Sequence, residues 1–217
     1  MVAGSSPAGP TKMSLYGLIL GISIVIGIDF FSKKNTTIPK NKLNLFIIGT
    51  IVSAIVGARI YHVVDQWSQY SQNLSLIPQT WNGGLGIFGG ILGALIFIFL
   101  FSLFSKTPLL SITDSIAPII PLCQSIGRLG NFINKEIPTW WIEAGLNLFL
   151  FLILKKSSHP TAHYLIGYGL IRFFAEFLRT DTWQVNNIKI AQIISLIFVL
   201  TGIFILKNQK QHPVLAK

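Results

Sequence analysis

Long apolar runs alternate with short polar breaks along nearly the whole chain. Runs of spanning length fall at about 13–31, 43–64, 85–104, 139–154 and 189–207, because a helix needs about 20 apolar residues to cross a bilayer. Two further segments, at about 109–125 and 161–179, are less pure. The first holds Asp114, Pro118 and Pro121, the second Tyr168, Arg172 and Glu176. Counting both predicts an all-α polytopic membrane protein of about seven transmembrane helices. No repeat is evident, and no linker is long enough to divide the segment 13–207, which reads as a single transmembrane domain. Residues 1–12, MVAGSSPAGPTK, are small and polar without an apolar core; they read as a disordered, tag-like or over-extended tail, not a signal peptide. Residues 208–217 read as a second, cytoplasmic tail.

Composition agrees with the pattern. Hydrophobic residues make up 51% of the 217 and charged residues 11%, against about a quarter charged in soluble domains. The formal charge of +10 suggests nucleic acid until its positions are read. The lysines sit in short groups beside apolar runs: Lys33, Lys34, Lys40 and Lys42; Lys106; Lys155 and Lys156; Lys207, Lys210 and Lys217. That is the pattern of loops facing anionic lipid on the cytoplasmic side, so no nucleic-acid partner is expected. With seven spans, the lysine-rich loops and the C-terminus share one side, which predicts the N-terminus outside and the C-terminus inside. The only cysteine, Cys123, lies in an apolar run and reads as a small buried side chain; no disulfide and no cysteine metal site is available.

The four arginines, Arg59, Arg128, Arg172 and Arg179, lie within the spans or at their lysine-poor ends. A guanidinium offers a planar fork of five donors suited to phosphate. In YGLIRFFAEFLR the spacing stacks Tyr168, Arg172, Glu176 and Arg179 on one helical face, with Arg172 able to pair with Glu176. A structural ion pair between helices accounts for that pair alone; the added tyrosine and arginine favour a polar cavity. In SIGRLGNFINKE, Gly127 and Gly130 permit a broken helix or a close backbone approach, with Arg128, Asn131, Asn134 and Glu136 lining a cavity near the outer leaflet. The six glycines of GGLGIFGGILGA (83–94) suit close helix packing, and the first pair a re-entrant turn offering N–H groups to an anion. No strand precedes them and no Lys-Ser/Thr follows, so they form no nucleotide loop. GARIYHVVD ends the second span; Arg59 and His62 are within reach of the cavity, while His62 and Asp65 alone make a poor metal site. Several arginines, few acids and no metal or cofactor set point to an anionic lipid headgroup held in an outward-facing polar cavity.

The stretch TDSIAPIIPLCQSIGRLGNFINKE resembles the signature region of the prolipoprotein diacylglyceryl transferases, G-R-x-G-N-F-x-N-x-E preceded by D-x-I-A-P. Further family marks follow in order: LYG near the first helix, GAR in the second, GGLGIFGG before the third, PTWWIE for a P-T-x-x-Y-E element, and YGLIRFFAEFLRTD. Together they span about residues 13–181. The resemblance implies a multi-pass enzyme of the bacterial cytoplasmic (inner) membrane. It would transfer the diacylglyceryl group of phosphatidylglycerol to the lipobox cysteine of an exported prolipoprotein and release glycerol phosphate. It implies catalytic roles for Arg128, Glu136, Arg172 and Glu176. By the same match, substrate contacts would come from Tyr16, Asn131, Tyr168 and Arg179, and Asp114 matches a further family position; from the residues themselves, Arg59, Asn134, Gly89 and Gly90 are expected to add to those contacts. The chain departs from the family in three places. Phe88 stands where a histidine precedes the second glycine pair, Ile142 replaces the tyrosine of P-T-x-x-Y-E, and Glu136 is followed almost at once by Pro138 and Thr139, which shortens the outer head.

Two other readings fit the buried charges. A non-catalytic, phospholipid-binding relative would keep the headgroup site and lose the chemistry with the histidine and the head. A small transporter is disfavoured, because the polar residues stay in the outer half and leave no inward path.

Overall fold

In the structure, a computed structural model, the described residues are 15–134, 139–179, 184–185 and 188–211. They fold into α1 (Leu15–Lys34), α2 (Lys40–Asp65), a single turn α3 (Trp67–Tyr70), α4 (Ile87–Ser105), α5 (Leu109–Ile116), α6 (Ile119–Asn134), α7 (Trp140–Leu154), α8 (Pro160–Ala175) and α9 (Ile190–Gln211). Among the described residues, the one departure from an all-α architecture is a two-residue antiparallel pair, β1 (Gln184–Val185) with β2 (Ile188–Lys189), in register Gln184↔Lys189. Among the described residues, four helical segments are long and apolar enough to cross a membrane: Lys40–Asp65, Ile87–Ser105, Leu109–Asn134 and Ile190–Gln209. In lipid each backbone N–H and C=O must be satisfied within its own segment, which leaves the helix as the solution for such runs.

Local chemistry sets the ends. Pro39 precedes α2, and Pro160 opens α8, where a missing N–H costs nothing. Lys106 ends α4 in the left-handed conformation, with φ of 57°. Pro118 separates α5 from α6, since a proline disfavours helical geometry at the residue before it. The break that Gly127 and Gly130 would permit is not there. α6 runs unbroken through both to Asn134, nine residues beyond the predicted end at 125. A glycine in a helix costs only about 1 kcal/mol, less than unpaired backbone costs in lipid. At the end of α8 the reverse holds: the helix tightens to a 3-10 turn at Glu176–Leu178, and Arg179 is extended.

Contacts divide the described residues into two compact units, one of residues 36–112 and one of residues 15–35 with the described residues from 113 onward. In the first, α2 packs along α4. Gly57, Gly89 and Gly93 let the two backbones touch, and a Cβ on Gly57 would meet the Gly89 carbonyl and Gly93 Cα; small residues at a helix crossing permit this approach. Phe46, Phe97 and Phe101 fill the next layer, with the rings of Phe46 and Phe101 4.9 Å apart. In the second unit, α6 packs on α1 and α7, and α8 on α7 and α9. Cys123 is half-buried at the α1–α6 contact, where Ser23 Oγ donates to its carbonyl and its Sγ donates to Ser23 O, each 3.3 Å.

Polarity is inverted relative to a soluble fold. Phe104, Phe149, Ile197 and Leu200 are exposed while Arg59, Glu143, Asn147 and Glu176 are buried. Apolar side chains facing outward suit a hydrocarbon solvent, and the buried charges mark what the fold is built around.

The α2–α4 crossing supplies a stability test. Gly57→Leu forces a branched side chain into backbone and is expected to cost about 1–3 kcal/mol, read as a lower thermal midpoint in detergent. Gly21→Ala, a position with no neighbour within 4 Å of an added Cβ, should not lower that midpoint and is expected to raise it slightly, since alanine favours the helix. Equal midpoints for both variants would refute the close packing.

Candidate functional site

Four charged side chains from consecutive helices of the second unit form one chain of ion pairs. Arg128 reaches from α6 to Glu143 on α7, with Nη2 2.5 Å from Oε2. The same carboxylate oxygen lies 3.9 Å from Nη1 of Arg172 on α8. Arg172 Nη2 then meets Glu176 Oε2 at 3.0 Å, one helical turn further on. Glu143 therefore bridges both guanidinium groups.

Burial gives the cluster a direction. The side chains of Glu143 and Glu176 are 2% and 1% exposed, those of Arg128 and Arg172 18% and 23%. The acids lie inside and the guanidinium groups outside them, so an approaching anion meets the donors first. Two positive and two negative charges balance formally, which offsets part of the desolvation that an isolated buried charge would suffer. Around them, Asn131 is buried on α6 one turn from Arg128. Tyr168 lies one turn before Arg172 and stacks on Tyr164, centroids 5.5 Å apart and planes 9° from parallel. Gln124 Nε2 donates to the Tyr164 hydroxyl at 3.2 Å. Lys189 closes the end of α8, donating from Nζ to the carbonyls of Glu176 at 2.5 Å and Arg179 at 2.8 Å. A cation is favourable there, where helix carbonyls lack intrahelical partners.

Of the residues expected from sequence, the structure brings Arg128, Asn131, Tyr168, Arg172 and Glu176 to this one region of α6 and α8. Arg179 lies beyond the helix and does not continue the face shared by Tyr168, Arg172 and Glu176. Asn134 is the last residue of α6, and Tyr16 sits in the first turn of α1. Glu136 lies outside the described residues. Asp114 is at the far end of α8, accepting from Thr161 N at 2.9 Å as a helix cap, with Thr161 Oγ1 on Thr113 Oγ1 at 3.0 Å. Eleven residues separate Thr161 from Arg172, about 16 Å along a helix.

Arg59, Gly89 and Gly90 belong to the first unit. Gly89 is buried in the α2–α4 crossing, and Gly90 continues that face. Arg59 is buried and uses its whole fork on backbone: Nε donates to Ile77 O at 2.8 Å, Nη1 to Gly83 O at 2.7 Å and Gly84 O at 2.9 Å, Nη2 to Leu76 O at 2.6 Å and Gln79 O at 3.3 Å. Its guanidinium carbon also lies 5.1 Å from the Tyr70 ring centroid. The first glycine pair thus offers carbonyls to a cation here, where N–H groups for an anion were expected. Gly84 has φ of 74°, and an added Cβ would strike Arg59 and His62. His62 packs edge-on against Tyr70, 5.9 Å between centroids. Among the described residues no group of three or more His, Cys, Asp or Glu is placed to hold a metal.

Glu143 is the site residue that sequence reasoning missed. It closes the PTWWIE element, and an acid embedded in an apolar run was signal enough; its two partners lie on other helices, which no local spacing reveals.

The family model for prolipoprotein diacylglyceryl transferase matches residues 5–140 and 137–207. A protein of Finegoldia magna named phosphatidylglycerol–prolipoprotein diacylglyceryl transferase is 32% identical over 226 aligned positions, covering 90% of this chain and 91% of the relative. Proteins of the same name from Streptococcus uberis (31% identical; 95% of each chain) and Staphylococcus haemolyticus (32% identical; 96% of this chain, 89% of the relative) are similar throughout. The last alignment runs over 251 positions against a chain of 217 residues, so the relative carries stretches that this chain lacks.

Two substitutions probe the two arginine sites. Glu143→Ala strands Arg128 and Arg172 beside a hole and is expected to cost about 3–5 kcal/mol, measured by thermal unfolding in detergent; an unchanged midpoint would remove the bridging role. Arg59→Lys keeps the charge but offers fewer, differently directed donors. It should accelerate amide hydrogen exchange across 74–86 while leaving α6–α8 protected, and unchanged exchange in that loop would contradict the clamp.

Proposed function

The chain belongs to the prolipoprotein diacylglyceryl transferase family, and on that footing we propose that it transfers the diacylglyceryl group of phosphatidylglycerol to the lipobox cysteine of exported prolipoproteins. The observation that carries this reading is the paired guanidinium groups of Arg128 and Arg172, held from behind by Glu143 and Glu176. They present fixed donors to the phosphodiester, where charge grows as the leaving group departs. Asn131 orients the headgroup, and Tyr168, Arg179, Asn134 and Tyr16 supply further substrate contacts.

In this reading the cysteine thiolate attacks the glyceryl carbon bonded to the phosphate oxygen. The S–C bond forms as the C–O bond breaks, and glycerol phosphate leaves with the electron pair. The thiol proton passes to a carboxylate, Glu176 or Glu136. The thiolate is the nucleophile, so its formation needs such a base or the positive field of the arginines.

Lysine placement supports a site facing away from the cytoplasm. Lys155 and Lys156 follow the end of α7 opposite Glu143, and Arg128 and Arg172 lie towards the other ends of α6 and α8, where Lys189 is held by carbonyls at the end of α8. By the positive-inside bias the N-terminus is outside, the C-terminus inside, and the cluster belongs to the outer half of the bacterial inner membrane.

One observation favours the alternative of a phospholipid-binding relative without chemistry: Phe88, 58% exposed in the first turn of α4, has no proton to exchange. A single assay separates the two. The purified chain, given phosphatidylglycerol and a lipobox peptide, should raise the peptide's mass by one diacylglyceryl unit, and Arg128→Ala should lower the rate at least a hundredfold. Bound lipid without any mass gain would establish the alternative. Undiminished turnover in Arg128→Ala would remove its assigned role.

A further inference from the structure

Among the buried side-chain atoms without a hydrogen-bond partner are Oε1 of Glu143, Oδ1 of Asn147 and Nη1 of Arg172; Oε2 of Glu176 is another, and it keeps its ion pair with Arg172. Glu143 is 2% exposed and Asn147 0%, so solvent does not serve them. The orientation of Asn147 follows from its one contact. Its amide lies 2.8 Å from the carbonyl oxygen of Glu143, which only accepts, so the NH₂ group faces that oxygen. That leaves Oδ1, an acceptor. Glu143 is similarly divided, with Oε2 against Arg128, and 3.9 Å from Arg172 Nη1, and Oε1 unmatched. The two residues stand four apart on α7, on the same face and about 5–6 Å apart at Cβ.

The unmet demand is therefore specific. Arg172 Nη1 requires an acceptor, and two neighbouring acceptors require donors. Buried polar groups without partners are costly enough that native structures rarely leave them so. We propose that Glu143 Oε1 and Asn147 Oδ1 accept the hydroxyl groups of a phosphoglycerol headgroup whose phosphate lies on Arg128 and Arg172, making Asn147 a specificity-determining residue. The inference rests on the phosphate site proposed above and adds how the headgroup beyond the phosphate is told apart. A phosphodiester flanked by neutral hydroxyls brings the missing acceptor and the missing donors in one molecule. A methyl headgroup would leave both oxygens without donors, and a site built to bond a hydroxyl rejects analogues that lack it.

The test compares three lipids of identical acyl chains by competitive retention on the intact protein in native mass spectrometry: phosphatidylglycerol, phosphatidylmethanol and diacylglycerol. The wild-type chain should retain phosphatidylglycerol over phosphatidylmethanol about tenfold, and both over diacylglycerol. Asn147→Leu should shrink the first preference towards unity with phosphatidylmethanol retention unchanged. Asn147→Ala removes the same oxygen without adding bulk and serves if leucine prevents folding. Equal retention of the two phospholipids by wild type would overturn the hydroxyl reading and leave the phosphate site standing. Parallel loss of both phospholipids in the variants, at a constant ratio, would reduce Asn147 to a packing role and overturn it equally. Failure to retain either phospholipid over diacylglycerol would overturn the phosphate site itself.

Discussion

Glu143 holds two guanidinium groups with one carboxylate oxygen, and the functional architecture depends on that contact. It ties α6 to α8 through α7, at a depth where a lone charge would be expelled or neutralised. Without it, Arg128 and Arg172 have no common partner and no reason to point to one place. With it, both present donors on the outward side of two buried acids. The helices around the cluster are conventional apolar spans; the ion-pair chain turns them into a site.

The second arginine device in the molecule answers a different problem. Arg59 gathers five carbonyls from the segment between α2 and α4, a segment of short turns with little regular hydrogen bonding of its own. One buried cation thus satisfies acceptors that would otherwise need water. The two sites show the same side chain used as an anion fork in one unit and as a backbone organiser in the other.

Much of this was legible in the chain. Apolar runs gave the spans, because lipid leaves a backbone few alternatives, and the four-residue spacing gave the Arg172–Glu176 pair. What failed depended on balance or on distance. Gly127 and Gly130 looked like a break, yet helix continuity outweighs their small propensity cost. Arg179 looked like the next rung of a helical face, but the helix tightens and ends just before it. Glu143 was hidden because its partners come from two other helices, and Arg59 because its partners are backbone atoms 17 to 25 residues away. The resemblance of SIGRLGNFIN and YGLIRFFAEFLR to family motifs carried the family; the charge chemistry alone would have stopped at an anionic headgroup.

The central claim is that Arg128 and Arg172 together hold the lipid phosphate. Solid-state NMR dephasing between the phosphorus of bound phosphatidylglycerol and ¹⁵N-labelled arginine side chains tests it most directly. Strong dephasing at a phosphorus–nitrogen distance of about 4 Å, as charge-assisted hydrogen bonds require, and its loss in the Arg128→Lys, Arg172→Lys double variant, is the expected result. Dephasing that survives both substitutions, or none in the wild-type chain with lipid bound, would contradict it.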